Sequence, residues 1–195
     1  MSENEELITY IKRAFELRNQ ECYKQAIEML YKAIAIEPDN AEILFQLGEL
    51  YYKIGNYTRA EQFVNQILKT DENHYNSLLL YKNICIKKGE YYSAKEIAEK
   101  IYNLDKSENN LVSIVKIYGK LELFEDMEQY ASEIEKSIKC LYELALVYYQ
   151  KQDLKKAQKI LDTAIKINSD SDECKILQGK IFFENNEPEK AKEVL

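Results

Sequence analysis

Three alanines, Ala26, Ala60 and Ala94, stand 34 residues apart, and a further pair, Ala157 and Ala191, keeps the same interval. A fixed period of that size constrains the fold more than composition does. It marks a stack of similar supersecondary units, each too small to bury its apolar face alone. Four residues after these alanines come Leu30, Val64, Ala98, Leu161 and Leu195, and three residues later Ala33, Ile67, Ile101 and Ala164. The i, i+4, i+7 spacing lines one side of a helix with apolar groups. Upstream lies a second amphipathic pattern, Leu44, Leu47, Gly48 and Tyr51, repeated as Leu141, Leu144, Ala145 and Tyr148. Small residues recur in it at one offset, as Ala14, Gly48, Ala145 and Gly179, and let the two helices of a unit approach closely. Gly55 and Gly89 fall where a helix ends in a left-handed residue. Asn56 and Asp153 suit the cap of the following helix, and Pro188 suits the first turn of the last one. With 5 glycines and 2 prolines in 195 residues, the chain lacks the turn residues of a β-rich fold.

These residues resemble the tetratricopeptide repeat, a 34-residue helix–turn–helix with an aromatic, a Leu-Gly pair and a tyrosine on its first helix and A-x₃-F with a further alanine on its second. The second unit carries the pattern as Leu44, Leu47, Gly48, Tyr51, Ala60, Val64 and Ile67; the first carries Tyr10, Ala14, Leu17, Ala26, Leu30, Ala33 and Pro38. The likeness runs from about Leu7 to Leu195 and divides into units 7–40, 41–74, 75–107, 108–137, 138–171 and a truncated 172–195, after an acidic tail at 1–6. The family's tryptophan is absent, the late proline occurs once, and Lys82 takes the small position of the third unit. The resemblance implies an all-α fold, a right-handed solenoid of antiparallel helix pairs. The RNA-reading pentatricopeptide repeat has a similar length but needs basic, base-reading positions.

The unit at 108–137 departs from its neighbours. Val115 and Met127 replace its two small residues, so its helices are expected to sit further apart. Ile134 to Leu141 spans 7 residues where Ala33 to Leu44 spans 11, a deficit of about one helical turn. Its second helix is expected to end early, or to join the next through a tight turn near Ser137. A hinge at this point and neutral drift are both compatible with the sequence.

The resemblance also implies that the first helix of each unit lines a concave face. The positions carried over are Ile11 and Phe15; Phe45, Gln46, Glu49, Tyr52 and Lys53; Leu79, Asn83 and Lys87; Lys116; and Tyr142 and Tyr149. An aromatic and aliphatic face with interspersed polar groups suits an extended peptide or an amphipathic helix. Several of these residues are equally compatible with packing between units alone. Chaperone-binding members hold an acidic C-terminal tail in a clamp of basic and amide side chains. Here the matching positions hold Ile11 and Phe15, or Phe45 and Glu49, so such tails are not expected partners.

A net charge of −7 opposes nucleic-acid binding, which needs a basic stripe. No apolar run reaches the length of a membrane span, and the start MSENEE lacks the basic and apolar regions of a secretory signal. The four cysteines form no CxxC pair and His74, read as an exposed loop residue, is the only histidine; no metal, no cofactor and no catalytic set is expected. The cysteines read as buried thiols of a cytoplasmic protein. The chain is expected to be a protein-binding scaffold and not an enzyme. The alternatives are a repeat segment of a larger enzyme or regulator, or a self-associating module that pairs through its uncapped last unit.

Overall fold

Why does a 34-residue period yield helix pairs of constant length? The computed structural model, which describes residues 2–194, answers through its turns. Twelve α-helices occur among the described residues: α1 (Glu3–Asn19), α2 (Tyr23–Ile36), α3 (Ala41–Lys53), α4 (Tyr57–Thr70), α5 (Tyr75–Lys88), α6 (Tyr91–Leu104), α7 (Glu108–Leu121), α8 (Ala131–Ile134), α9 (Ile138–Gln150), α10 (Leu154–Ile167), α11 (Asp172–Glu184) and α12 (Pro188–Val194). A 3₁₀ segment, Asp126–Tyr130, precedes α8, and no strand occurs among the described residues. The chain separates into two compact units, Met1–Ile97 and Ala98–Leu195.

Each odd-numbered helix, from α1 to α11, ends in the same way. Residues 21, 55, 89, 122, 152 and 186 all adopt the left-handed conformation, with φ between 59° and 80°. Their spacings are 34, 34, 33, 30 and 34, so the period is written in the backbone as well as in the alanines. The N–H of the next residue reaches back five positions: Cys22 to Leu17, Asn56 to Tyr51, Glu90 to Cys85, Leu123 to Tyr118, Asp153 to Tyr148 and Glu187 to Phe182, at 2.8–3.0 Å. The left-handed residue itself donates to the carbonyl three positions back. This pair of bonds satisfies carbonyls that the helix end would leave open. Only Gly55 and Gly89 adopt the geometry without steric cost; Glu21, Glu122, Gln152 and Asn186 do so with a side chain.

In the first unit α1 packs on α2, α3 on α4, and α4 on α5. The alanine stripe is the core: Ala26, Ala33, Ala60 and Val64 are wholly inaccessible, with Leu30, Ile43, Leu47 and Ile67 nearly so. A Cβ on Gly48 would find ordinary contacts at 3.4–3.6 Å, which fits the alanines at the equivalent positions. Lys82, at that position in α5, is buried, and desolvation pulls its ammonium below the usual lysine value.

Two sequence expectations change here. Residues 3–6 are not a tail. Ser2 accepts from the Glu5 N–H while the Glu5 carboxylate accepts from the Ser2 N–H, a capping box that extends α1 to Glu3. His74 is not an exposed loop side chain. It is half-buried and caps α5, with Nδ1 accepting from the Ser77 N–H at 3.3 Å and lying 2.8 Å from the Ser77 hydroxyl. Asn56 and Asp153 cap α4 and α10, and Pro188 opens α12.

In the second unit the irregular repeat is resolved into local structure. After α7 the chain turns through i→i+3 bonds, Met127 N–H to Phe124 and Glu128 N–H to Glu125, instead of a regular second helix. Only the four residues of α8 follow before Ser137 caps α9 by accepting from the Cys140 N–H. The second helix thus ends early, with Ser137 at the start of the next, as the short spacing predicts, and its first part is 3₁₀ in place of α-helix. Tyr130 pins it, meeting Tyr102 and Tyr118 edge-on at 5.6 and 6.0 Å. The Tyr118 hydroxyl donates to Glu99; burial, then this bond, holds the phenol far above its ordinary pKa. Beyond it, α9 packs on α10 and α11 on α12. The apolar position expected at Leu195 lies outside the described residues, as does the end of the sixth unit.

All four cysteines are free, but Cys22 is exposed, not buried as expected, because it stands in the turn after α1. Cys85, Cys140 and Cys174 are buried.

Two predictions follow from this backbone and its tyrosines. Glu21→Gly and Gln152→Gly should each stabilise the fold by about 1 kcal/mol, the left-handed penalty less the added chain entropy, while Gly89→Ala should lose a similar amount; urea unfolding would read all three. Tyr51, bonded to the Tyr31 hydroxyl at 3.1 Å, has its pKa pushed up to about 12 by burial first and this bond second. Its folded value lies above the unfolded one, so the stability it adds is intact below about pH 10 and is lost as pH rises through about 12. Chemical denaturation from pH 8 to 12 should show that decline, and Tyr51→Phe should flatten it.

Candidate peptide-binding faces

In the first unit the faces of α1 and α3 that the sequence singled out meet at Arg18. Phe15 and Arg18 lie on one side of α1 because they are three residues apart. The Arg18 guanidinium sits 3.9 Å over the Phe15 ring, donates to Gln46 Oε1 at 2.7 Å and lies 3.7 Å from Glu49 Oε2. Gln46 Nε2 in turn donates to Glu42 Oε1 at 2.8 Å. Ile11, Phe15, Arg18, Ile43 and Gln46 line a shallow cleft of about 30 Å³ between the two helices. Phe15 remains 44% exposed despite its cationic cover, which leaves an aromatic edge available to a ligand.

The rest of the α3 and α5 set divides by role. Phe45 is half-buried against the α4–α5 core and meets the His74 ring edge-on at 6.2 Å. Tyr52 packs against the same core and against Tyr57 at 5.6 Å. Both are tied to the scaffold first. Lys53 extends over the Tyr23 ring, 5.5 Å from its centroid. Leu79 is half-buried, whereas Asn83 and Lys87 are exposed.

In the second unit Lys116 of α7 pairs with Glu143 of α9 at 2.8 Å. Lys116, Gly119, Glu143, Leu146, Val147 and Lys151 line a cavity of about 410 Å³ between these helices. Tyr142 is half-buried, and desolvation raises its phenol pKa. Tyr149 donates to Glu184 of α11, and this bond, then burial, raises its pKa too. Phe183 beside it is 72% exposed.

The structure therefore brings Ile11, Phe15, Gln46 and Glu49 together in one unit and Lys116 near Val147 in the other. The acidic partners are what sequence reasoning missed: Glu42, Glu143 and Glu184. A signal for one of them existed. Gln46 and Glu143 each stand five residues after the first residue of their helix, Ala41 and Ile138, and each meets a cation of the preceding odd-numbered helix.

The approach of α7 and α9 depends on one position. A Cβ on Gly119 would lie 2.6 and 2.8 Å from the two γ-methyls of Val147, and a β-branched side chain has little freedom to withdraw. Among the described residues, no group of three His, Cys, Asp or Glu side chains could hold a metal ion, and no helix is long and apolar enough to cross a membrane.

Family models described as tetratricopeptide repeat match residues 19–80 and 138–171. A BBSome complex member BBS4 homolog of Drosophila melanogaster is 24% identical over 185 residues, 89% of this chain and 37% of that protein. The chain covers smaller shares of three other curated relatives that it matches, 26%, 15% and 11% of their lengths. Among solved structures, YrrB, described as a TPR protein with an unusual peptide-binding site, superposes with a TM-score of 0.66 at 20% identity over 88% of this chain and 92% of that one. The first TPR of Spaghetti (RPAP3), bound to an HSP90 peptide, superposes with a TM-score of 0.56 at 15% identity over 60% of this chain and 94% of that one. At these identities the superpositions establish the fold.

Gly119→Ala should destabilise the second unit, because overpacking of ~1–3 kcal/mol exceeds the ~1 kcal/mol gained in helix propensity. Adding Val147→Ala should restore part of the loss; thermal unfolding of the single and double variants measures both.

Proposed function

Because the chain belongs to the tetratricopeptide repeat family, with helices and no strand among its described residues, we propose that it is a non-catalytic scaffold that binds protein segments along its odd-numbered helices. The observation that carries this reading is the Phe15–Arg18–Gln46–Glu49 constellation. An exposed aromatic edge is held beside polar groups whose geometry is already fixed by one another. A ligand meeting such a surface loses less freedom on binding, and aromatic residues and arginine are the side chains that dominate binding energy elsewhere.

The ligand class this favours is a peptide or amphipathic helix with apolar groups for Ile11 and Phe15 and hydrogen-bonding groups for Gln46 and Asn83. In the second unit Lys116, Tyr142 and Tyr149 offer a matching mix. The peptide-binding descriptions of YrrB and Spaghetti agree with this class of ligand. An acidic tail is disfavoured, since Glu49 stands in the face and Arg18 is already engaged by Gln46 and Phe15. We read the repeat array as units 7–40, 41–74, 75–107, 108–137, 138–171 and 172–195, with residues 3–6 extending the first helix. A reducing, cytoplasmic setting fits four free thiols, one of them exposed.

Selection of peptides from a displayed random library against the whole chain tests the proposal. Peptides selected on the native protein should bind Phe15→Ala/Gln46→Ala or Lys116→Ala/Tyr149→Ala at least about tenfold more weakly, with unchanged helical circular dichroism. Equal affinity for both variants would remove the odd-numbered helices as the binding face.

A further inference from the structure

The shortened second helix of the fourth repeat leaves a hollow that the preceding reading does not use. The complete second helices α2, α4, α6 and α10 each run for 14 residues. Their counterpart between α7 and α9 consists of the five-residue 3₁₀ segment and the four residues of α8. Helix α9 nevertheless keeps its full apolar pattern, including Leu141, Leu144 and Tyr148, as though a whole helix lay against it. The result is a cavity of about 450 Å³, floored by α9 and walled by α8 and α10, with Phe124, Met127, Ile134, Leu144, Tyr148 and Ile160 in its lining. That volume falls in the range of sites that hold ligands.

Its floor is ordered. Phe124 stacks on Tyr148 at 4.8 Å, and the Lys151 and Lys156 ammonium groups lie 4.8 and 5.2 Å from the two ring centroids. Its two edges differ in sign. Lys156 and Lys159 of α10 stand along one, and Glu128 and Glu135, from the 3₁₀ segment and the turn after α8, stand along the other. All four residues are exposed. An apolar trough with one basic and one acidic edge is the complement of a helix with an apolar stripe, an acidic flank and a basic flank. The missing length, about five residues against a 14-residue helix, corresponds to roughly one and a half turns.

We propose that this hollow takes an amphipathic α-helix from a partner protein, with its acidic flank against Lys156 and Lys159 and its basic flank against Glu128 and Glu135. The partner helix completes the second-helix layer where the chain's own helix is cut short. The site shares no residue with the odd-helix candidates Lys116, Tyr142 and Tyr149, so the two readings stand or fall separately.

The test uses the whole chain and two designed 14-residue helical peptides. Both carry leucine at i, i+4, i+7 and i+11; one has glutamate along one flank and lysine along the other, and the control has lysine along both. Binding is followed by fluorescence anisotropy and by methyl NMR of the protein. The mixed peptide should bind at least about tenfold more tightly than the control and should shift the methyls of Met127, Ile134, Leu144 and Ile160. Ala131→Trp and Thr163→Trp alter exposed lining positions without touching the core, and each should weaken the mixed peptide about tenfold by filling the trough. Lys156→Glu/Lys159→Glu should reverse the order of the two peptides. Three results overturn the proposal. These are no saturable binding at concentrations on the order of 1 mM, methyl shifts that leave Met127, Ile134 and Ile160 unmoved, or a concentration-dependent dimer that Ala131→Trp dissolves, which would put a second copy in the trough.

Discussion

The structure rests on a hydrogen bond made six times: the one that closes the end of each first helix by reaching back five residues across a left-handed turn. Amphipathic helices alone do not specify how they pair, since an apolar stripe is satisfied by any other apolar stripe. The turn removes that freedom. It fixes the direction of the second helix within three residues of the first helix's end, and the inaccessible Ala26, Ala60, Ala94 and Ala157 then let the backbones close on each other. Small residues at the contact and a stiff turn are thus two halves of one device. The device is costly wherever a glutamate or glutamine stands at the left-handed position, and the chain tolerates that cost four times, counting Asn186.

The fourth repeat keeps the turn and loses the helix. Glu122 is left-handed and Leu123 makes the long bond to Tyr118 like its counterparts, yet the segment that follows falls into 3₁₀ geometry. Met127 stands where the neighbouring repeats carry an alanine, and it and Ile134 are the buried residues of this short segment. The tyrosine cluster around Tyr130 compensates with edge-on ring contacts. What was a defect in the period becomes a change in surface, because α9 keeps a face made for a longer neighbour.

Much of the fold was legible in the residues. The alanine interval, Asn56, Asp153, Pro188 and the two glycines gave pairing, caps and turns, because each of those depends on a short-range geometric need. The shortfall before Leu141 was legible for the same reason. What could not be read was whatever depends on side chains from distant positions finding one another. The Ser2–Glu5 capping box, by contrast, is local and its S-x-x-E spacing stands in the sequence, and it turns an apparent tail into helix. His74 proved to be a cap with a ring contact to Phe45, a use for which histidine is not the expected residue. In the candidate faces, the sequence supplied Phe15, Gln46 and Glu49 as separate positions. Only the fold revealed that Arg18 gathers them, and that Phe45 and Tyr52 are engaged by the core.

The turn after α1 has one more consequence. It holds Cys22 in solvent, while burial pushes the Cys85 thiol up to about 11, raises that of Cys140, and hides Cys174. A thiol-directed dye at neutral pH therefore has one accessible target in the native protein. The unaltered sequence carries its own attachment point for a spectroscopic reporter, four residues along the chain from Arg18 and next to the ring of Tyr23 over which Lys53 rests.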